Sequence, residues 1–424
     1  MFKKTIKNQE VPVQGGFYYG WVIVVFSAVA FFLSGPGQTY SISIFIDSYI
    51  EQFGWSRSTV STYYSLATLA AGLLIGFLGR FLDIYGHRYV TSIVLFLLAL
   101  TCFFNSLVAG PIMLFIGFFM LRLLGQSSLT VIPNTLVPQW FITKRGRAFS
   151  FLAIGSFVSS AMFPIINVYL IQNYDWQIAW IFWGLFVLAF LPLWFYFVRN
   201  KPEDIGLLPD NATNSNETSS ADKVEKVIKE VNWTLKEAIK TRAFWLLLFC
   251  ASIPPLINTG ITFHFISILS EKGITAQSAA FILSLMSLVG FPVSIAAGFI
   301  AEKIKVHFML VFVFFMEFLV ISTLVFTNSL NMAIVFAIVW GISVGFERIV
   351  LNIIWPNYFG RENLGSIRGI AMSATVIGAA LGPLPFAIAY DYVFGGYTEF
   401  LIMLLTLPVI GMICAFLAPR PKKN

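Results

Sequence analysis

Charge is scarce in this chain. Of its 424 residues only 11% are Asp, Glu, Lys or Arg, whereas a soluble globular protein carries about a quarter. The few charges are confined to short breaks between apolar runs, which argues against a water-soluble domain. Cysteine and histidine number three each. Cys102, Cys250 and Cys414 are scattered through apolar runs, so they form neither a disulfide framework nor a metal-binding pattern and read as apolar packing residues. The sequence holds no glycine-rich phosphate loop, no metal-ligand cluster and no nucleophile–base arrangement. ATP-driven chemistry and enzymatic catalysis therefore have nothing to work with, and neither a cofactor nor a metal is expected.

What the chain has instead is apolar length. Hydrophobic residues make up 58% of it, arranged in twelve runs of about 20 residues or more, enough for each to cross a hydrocarbon layer of roughly 30 Å as a helix. The runs lie near 18–46, 57–82, 89–108, 112–141, 148–171, 176–198, 243–269, 275–300, 307–327, 330–358, 367–390 and 398–418. The first is too long for a cleaved signal peptide and lacks a small-residue cleavage site. The fold class is thus an all-α membrane protein with twelve transmembrane helices. Six runs precede and six follow a polar stretch at 199–242, which contains the low-complexity segment NATNSNETSS at 211–220. The expected organisation is a six-helix bundle over 1–198, a cytosolic linker over 199–242 and a second six-helix bundle over 243–424. KVEKVIKE at 223–230 suits a short amphipathic helix on the membrane surface. Asn211, Asn216 and Asn232 match the glycosylation pattern, but the linker is expected in the cytosol.

Lysine and arginine set that orientation. With the N-terminus inside, 23 of the 27 basic residues fall in cytosolic segments. Arg57 and Lys272 fall outside, and Arg122 and Arg348 fall within spans. The net charge of +7 is mostly this bias plus a basic tail and calls for no nucleic-acid partner. A multi-pass protein of the cell membrane, with both termini cytoplasmic and a monomer as its expected state, follows.

The two halves also resemble one another. Gly54–Asp83, GWSRSTVSTYYSLATLAAGLLIGFLGRFLD, aligns without a gap on Gly273–Glu302, GITAQSAAFILSLMSLVGFPVSIAAGFIAE, 219 residues later. Gly54 falls on Gly273, Ser65 on Ser284, Leu69 on Leu288, Gly79 on Gly298 and Asp83 on Glu302. A chain built twice from one membrane unit suggests two pseudo-symmetric bundles working by alternating access. Spans three, six, nine and twelve are greasy on all faces, which suits lipid contact. Spans one, four, seven and ten carry Gly, Pro, Gln, Asn, Ser and charge, which suits an interior lining.

These residues also point to a family. Gly79-Arg-Phe-Leu-Asp83-Ile-Tyr-Gly86-His-Arg88 resembles the loop between helices two and three of the major facilitator superfamily, and Arg122-Leu-Leu-Gly125-Gln126 resembles its helix-four signature. FGWSRS at 53–58, QWFITKRGRAFS at 139–150, PEDIGLLPD at 202–210, TLKEAIKTRAFWLLL at 234–248 and YFGRENLGSIRG at 358–369 are similar to the bacterial branch that includes monocarboxylate transporters and the oxalate/formate antiporter. The resemblance covers essentially the whole chain. It implies the major facilitator fold and a secondary active transporter driven by a proton or a counter-anion. It also implies a latch of Asp83 and Arg88 at the end of span two, with Gly86 permitting the turn. Members handling small carboxylates place an Arg in helix eight, and the oxalate exchanger adds a Lys in helix eleven. Span eight here has no basic residue and span eleven none after Arg368, so an anion-binding cation has to be sought elsewhere.

Arg348 is the candidate. It lies 11 residues before Phe359, some 16 Å of depth at about 1.5 Å per residue, where an unrelieved cation costs several kcal/mol. It reads either as the anchor of an organic anion, held by its guanidinium fork, or as a fixed structural partner of Glu317 or another acid. Glu347 points about 100° away and reads as a carrier of a coupled proton or as a counter-charge. Glu317, mid-span in nine, reads as structural. Arg122 is implied by the family in packing or proton coupling, with Gln126 one turn later. Span one holds Ser34-Gly-Pro-Gly-Gln38-Thr-Tyr40 and span seven holds Pro254-Pro255, Asn258-Thr259 and His264. Interrupted helices at corresponding positions point to a transport site, and the 219-residue offset places Thr39 on Asn258. The expected substrate contacts are Arg348, Gln38, Tyr40, Tyr64, Gln126, Asn258 and Asn352. The expected coupling and gating residues are Asp83, Arg88, Arg122, Glu347 and His264, the last equally readable as a capped structural residue. The expected partners are a small organic anion, a proton or counter-anion, and the lipid bilayer. Two other functions fit less well: an exporter of a bulkier amphipathic compound, and a transporter-like sensor, for which neither terminus supplies an effector domain.

Overall fold

A computed structural model describes residues 17–141, 145–209, 233–301, 303–360 and 364–421. The amphipathic segment at 223–230, the glycosylation motifs at Asn211, Asn216 and Asn232, and Glu302 lie outside the described residues.

Among the described residues every regular element is helical, and twelve helices are long and apolar enough to cross a membrane. Spans one to six are Gly20–Gly37, Arg57–Ile75, His87–Ser106, Pro111–Trp140, Arg147–Asn173 and Trp176–Phe197. Spans seven to twelve are Arg242–Glu271, Ala276–Ala301, Val306–Phe326, Leu330–Phe359, Ile370–Phe394 and Thr398–Phe416. The all-α, twelve-span expectation is met. Spans six, nine and twelve expose large apolar side chains, among them Leu185, Phe186, Phe308, Phe315, Ile402 and Ile413. Lipid tails are the medium in which such a surface carries no penalty.

The chain divides into two compact units, Met1–Ile42 with Ala70–Ser220, and Ser43–Leu69 with Ala221–Asn424. The division runs through spans one and two. Span one explains why it can be divided there. Its α-helix stops at Phe32 and is followed by a 3-10 turn at Gly35–Gly37, one helical turn at Thr39–Ile42, a second 3-10 turn at Ser43–Phe45 and a helix at Ile46–Phe53. Pro36 has no N–H to continue the ladder, so the expected interruption is present. Span seven differs. Despite Pro254 and Pro255 its helix is continuous from Arg242 to Glu271, so the expected break there is not found. Two adjacent prolines remove two ladder bonds, but the carbonyls of Ser252 and Leu256 lie against Gly378 and Gly382 of span eleven, and tight packing on that side holds the helix together.

The same internal contacts occur in each unit. In the first, Gly155 packs on the backbone of Ala28, and Gly35 packs on the ring of Phe163. In the second, Gly378 packs on the backbone of Ser252, and Gly260 on the ring of Phe386. A Cβ on any of these glycines would overlap its neighbour. The matching positions are 223 to 225 residues apart, so spans one and five repeat as spans seven and eleven. At the start of spans two and eight the offset is instead 219, as the sequence alignment has it. Gly54 and Gly273 are both left-handed, at φ 67° and 74°. Ser56 caps the N–H of Thr59, and Thr275 caps that of Ser278, each satisfying an orphan donor of the first turn. One offset therefore does not serve the whole repeat. In spans one and seven the structural match of Gly35 to Gly260 carries Thr39 to His264 and not to Asn258.

Gly155→Val and Gly378→Val should each lower stability by about 1–3 kcal/mol or more, because backbone faces backbone and neither side can yield. Gly298→Ala, where a Cβ meets open space, should be neutral or slightly stabilising. Thermal unfolding of the purified protein in detergent checks this. Equal midpoints for all three variants would remove the close-packing argument.

Candidate functional site

In the first unit the polar residues of spans one, four and five converge on the break in span one. A helix that stops leaves carbonyls without donors. Here the side chains of neighbouring spans supply them. Arg122 is 2% exposed and donates through Nη1 to the Gly37 carbonyl at 3.1 Å and to Thr39 Oγ1 at 3.3 Å. It sits in a π-helical stretch, Leu121–Ser128, which the sequence did not reveal. Such a bulge re-aims a side chain within a helix. The approach is close because Gly125 meets Gly37, where a Cβ on Gly125 would lie 2.9 Å from the Gly37 Cα. Ser159 donates to the Phe32 carbonyl at 2.8 Å and accepts from the Tyr40 hydroxyl at 2.9 Å. Gln38 Nε2 donates to Ser34 Oγ at 3.0 Å. Gln126 is half-buried, with its backbone N–H against Gly37. Of the expected residues, Gln38, Tyr40, Arg122 and Gln126 are thus brought together.

Asp83 and Arg88, the residues expected to form a latch, lie elsewhere in that unit. Gly86 is left-handed at φ 81°, as a tight turn requires. The Arg88 guanidinium donates through Nε to the Phe195 carbonyl at 2.8 Å and stands 4.3 Å from the Phe195 ring centroid. Asp83 is helical, and its side chain lies outside the described part of the structure.

The second unit holds a deeper polar centre. Asn258, Glu317 and Glu347 come from the middles of spans seven, nine and ten. Asn258 Nδ2 donates to Glu317 Oε1 and to Glu347 Oε2, each at 2.9 Å. The Trp340 indole N–H donates to Asn258 Oδ1 at 2.7 Å. An indole nitrogen only donates, so it settles which end of the amide faces the acids. Glu317 is fully buried, and Ser343 Oγ lies 3.5 Å from its Oε1. Arg348 follows Glu347 but is exposed, as the roughly 100° step between helix neighbours requires. Among the described residues the one ion pair is Arg57 with Asp47, so the alternative that Arg348 is locked to Glu317 has no support. Asn352 is one turn further along, donating to the Arg348 carbonyl and accepting from Arg368 at 2.5 Å.

His264 and Tyr64 are placed differently. His264 is buried, with Nε2 2.9 Å from the Pro383 carbonyl and Nδ1 3.1 Å from the Tyr397 hydroxyl. A carbonyl only accepts, so Nε2 carries the proton and Nδ1 accepts from Tyr397. Burial raises the Tyr397 hydroxyl above its ordinary range, keeping it a donor. His264 thereby bridges spans seven and eleven. Tyr64 is fully buried with its ring 4.5 Å from that of Phe263.

One polar cluster of the second unit was not anticipated. Asp47 Oδ1 accepts from Arg57 at 2.7 Å and from Ser267 at 2.8 Å, Arg57 lies 5.1 Å from the Tyr390 ring centroid, and the Ser58 N–H donates to Asp391 at 2.7 Å. Together with Glu51 and Glu271, Asp47, Arg57, Ser267 and Tyr390 line a cavity of about 260 Å³. The signal was present, since Arg57 and Lys272 are the two basic residues that break the charge bias. Lys272 donates to the Val325 carbonyl at 2.9 Å at the end of span nine, and burial pulls its ammonium below the ordinary lysine value.

The chain also bears comparison with known proteins. The Major Facilitator Superfamily model matches residues 21–383. The hexuronate transporter of Bacillus subtilis is 24% identical over 336 residues, 73% of this chain and 74% of that protein. Monocarboxylate transporter 9 of the mouse is 28% identical over 156 residues, 37% of this chain and only 30% of the mouse protein. Two solved structures share the fold. A bacterial homologue of the human lysosomal transporter Spinster, inward-facing and occupied, superimposes with a TM-score of 0.71 at 13% identity, covering 95% of this chain and 97% of that one. The nucleoside transporter NupG gives 0.72 at 14% identity, covering 95% and 99%. With the family model matching residues 21–383 of a 424-residue, twelve-span helical chain, the protein belongs to the major facilitator superfamily.

Proposed function

We propose that this major facilitator protein is a secondary active transporter of a small carboxylate-type organic anion. It works by alternating access in the cell membrane, with both termini in the cytosol. The observation that carries the reading is Arg348, an exposed guanidinium in the middle of a 30-residue apolar helix with no acid at ion-pair distance among the described residues. A cation at that depth is costly unless a partner relieves it, and an anionic substrate is such a partner. A guanidinium also matches a carboxylate with two parallel hydrogen bonds. The names of two relatives, a monocarboxylate and a hexuronate transporter, support a carboxylated substrate. Asn352, one turn away and exposed, is a further contact in this reading. Gln38, Tyr40 and Gln126 of the first unit and Asn258 of the second are the further polar contacts in this reading.

Thermal-shift screening with lactate, oxalate and glucuronate as probes should reveal a stabilising anion, because a ligand that binds the folded state raises its apparent stability. Arg348→Ala should abolish the shift while leaving membrane insertion intact. Arg348→Lys keeps the charge but loses the fork, so it should need roughly tenfold to a hundredfold more anion. An unchanged shift in Arg348→Ala would overturn the anchor. If no organic anion shifts the wild type, export of a bulkier amphipathic compound, which suits a span eight without basic residues, becomes the better reading.

Asp83→Asn should slow uptake into proteoliposomes and leave the thermal shift largely intact, since a latch alters a conformational bias and not a ligand contact. Loss of the shift in a well-folded Asp83→Asn protein would refute the latch. The orientation is checked by labelling single cysteines placed at Ser215 and Gly395 in intact cells. They should differ in accessibility to an impermeant reagent, with position 395 outside.

A further inference from the structure

We infer that Glu317 and Glu347 together hold one exchangeable proton across Asn258, and that this proton is the ion coupled to transport. The inference rests on the anion reading for its sign but not for the existence of the site. Both carboxylates take a hydrogen bond from the same amide nitrogen at 2.9 Å, so the two accepting oxygens lie no further apart than twice that distance. Glu317 Oε2 is buried and has no hydrogen-bond partner among the described residues. A carboxylate oxygen left like this bears the full desolvation penalty of a charge, and two adjacent carboxylates in an apolar layer raise it further. A single proton on the pair ends the repulsion and, on Glu317, relieves the more deeply buried group, leaving the one remaining charge on the half-buried Glu347.

The charged and titratable neighbours do not offer another solution. Span seven contributes the neutral Asn258 here. Its Arg242 and Glu271 are at its two ends, and His264 is engaged with Pro383 and Tyr397. Span eight carries no charge between Ala276 and Ala301. Span nine adds only His307, at its first turn. Span ten adds Arg348, which is exposed, and Tyr358, bonded to the Ala418 carbonyl. Span eleven brings Arg368, bonded to Asn352, and Tyr390, Asp391 and Tyr392, at its far end near Arg57 and Ser58. Span twelve has Glu399 at its start and Cys414 near its end. Two acids are therefore set against a single cation that is exposed and turned away from them, and the excess negative charge is internal.

A metal cation is the obvious alternative, and the amide argues against it. Trp340 holds Asn258 with its oxygen turned away, so two N–H groups occupy the position between the carboxylates that a cation would take. The two acids also differ in access. Glu347 is half-buried and Glu317 fully buried, which makes Glu347 the entry and Glu317 the store. An anion seated on Arg348 cancels the positive charge beside Glu347, and this favours the neutral acid there. Anion binding and proton uptake then promote each other, which is the reciprocal linkage that symport requires. No bond other than O–H forms or breaks. The proton arrives from water at Glu347 and leaves the same way.

Infrared titration of the purified full-length protein tests the site with the proton itself as probe and no organic anion present. At neutral pH the wild type should show the C=O stretch of a carboxylic acid in apolar surroundings, moving in heavy water. The band should vanish in the double variant Glu317→Gln, Glu347→Gln and change its titration in each single one, while Glu399→Gln, an exposed control, leaves it unchanged. Should a variant fail to fold, glutamate labelled with carbon-13 assigns the band in the wild type. Absence of the band, its survival in the double variant, or its failure to shift with labelled glutamate would overturn the inference. Because no anion is used, a negative result here leaves the Arg348 reading standing, and failure of Arg348→Ala to lose its thermal shift leaves the proton site standing.

Discussion

A polar group carried into an apolar layer has to find its partner inside the protein, because no water is there to supply one. In this chain that constraint decides where helices may stop and which side chains face inward. Span one is broken at Gly35–Gly37, and the carbonyls freed by the break are met by Arg122 from span four and Ser159 from span five. The cation and the break are thus one device. Arg122 is accommodated because the helix end offers oxygens, and the helix can end there because Arg122 and Ser159 donate. Its worth is in the asymmetry of hydrogen bonding, where a bond adds little net stability but leaving a buried partner unmet is expensive.

The second unit meets the same constraint with the opposite charge. Two acids are held by an amide whose orientation an indole fixes, and the accompanying arginine is turned outward. No helix break is needed, and span seven stays continuous through two prolines. The units therefore share their packing but not their polar chemistry. Glycines at matching positions bring spans one and five together as they do spans seven and eleven. Without a hydrophobic drive between helices in lipid, close backbone approach and dispersion contacts are what hold such pairs. Conserving the packing while varying the buried charge lets one architecture carry different ligands, which is why membership of the superfamily leaves the substrate open.

The stretch that joins spans one and two, Ser43–Leu69, belongs to the second unit, and the reason is electrostatic as well as steric. Asp47, Arg57 and Ser58 engage Ser267, Tyr390 and Asp391, while Tyr64 and Phe263 stack. Partly exposed ion pairs contribute little by themselves, but here the pair is joined by a serine that bonds to both partners and by an aromatic face.

Twelve helices, their approximate limits and the break at Pro36 were legible in the amino-acid order, because apolar length and proline act locally. The repeat was legible too, at Gly54 and Gly273, where a left-handed turn demands glycine. Arg348 stood out because a charge in a long apolar run is rare whatever surrounds it. What only the tertiary structure decided are the relations between residues far apart in the chain. Nothing in the order of residues says that Asn258 faces both Glu317 and Glu347, that Arg348 turns away from them, or that Arg122 answers the carbonyl of Gly37. Nor does it reveal the π-helical stretch at Leu121–Ser128 or the shift of the repeat offset between spans. Those depend on helix rotation and register, set by interlocking small residues on neighbouring spans, and a hydropathy pattern that is apolar on nearly every face carries no record of which face was chosen.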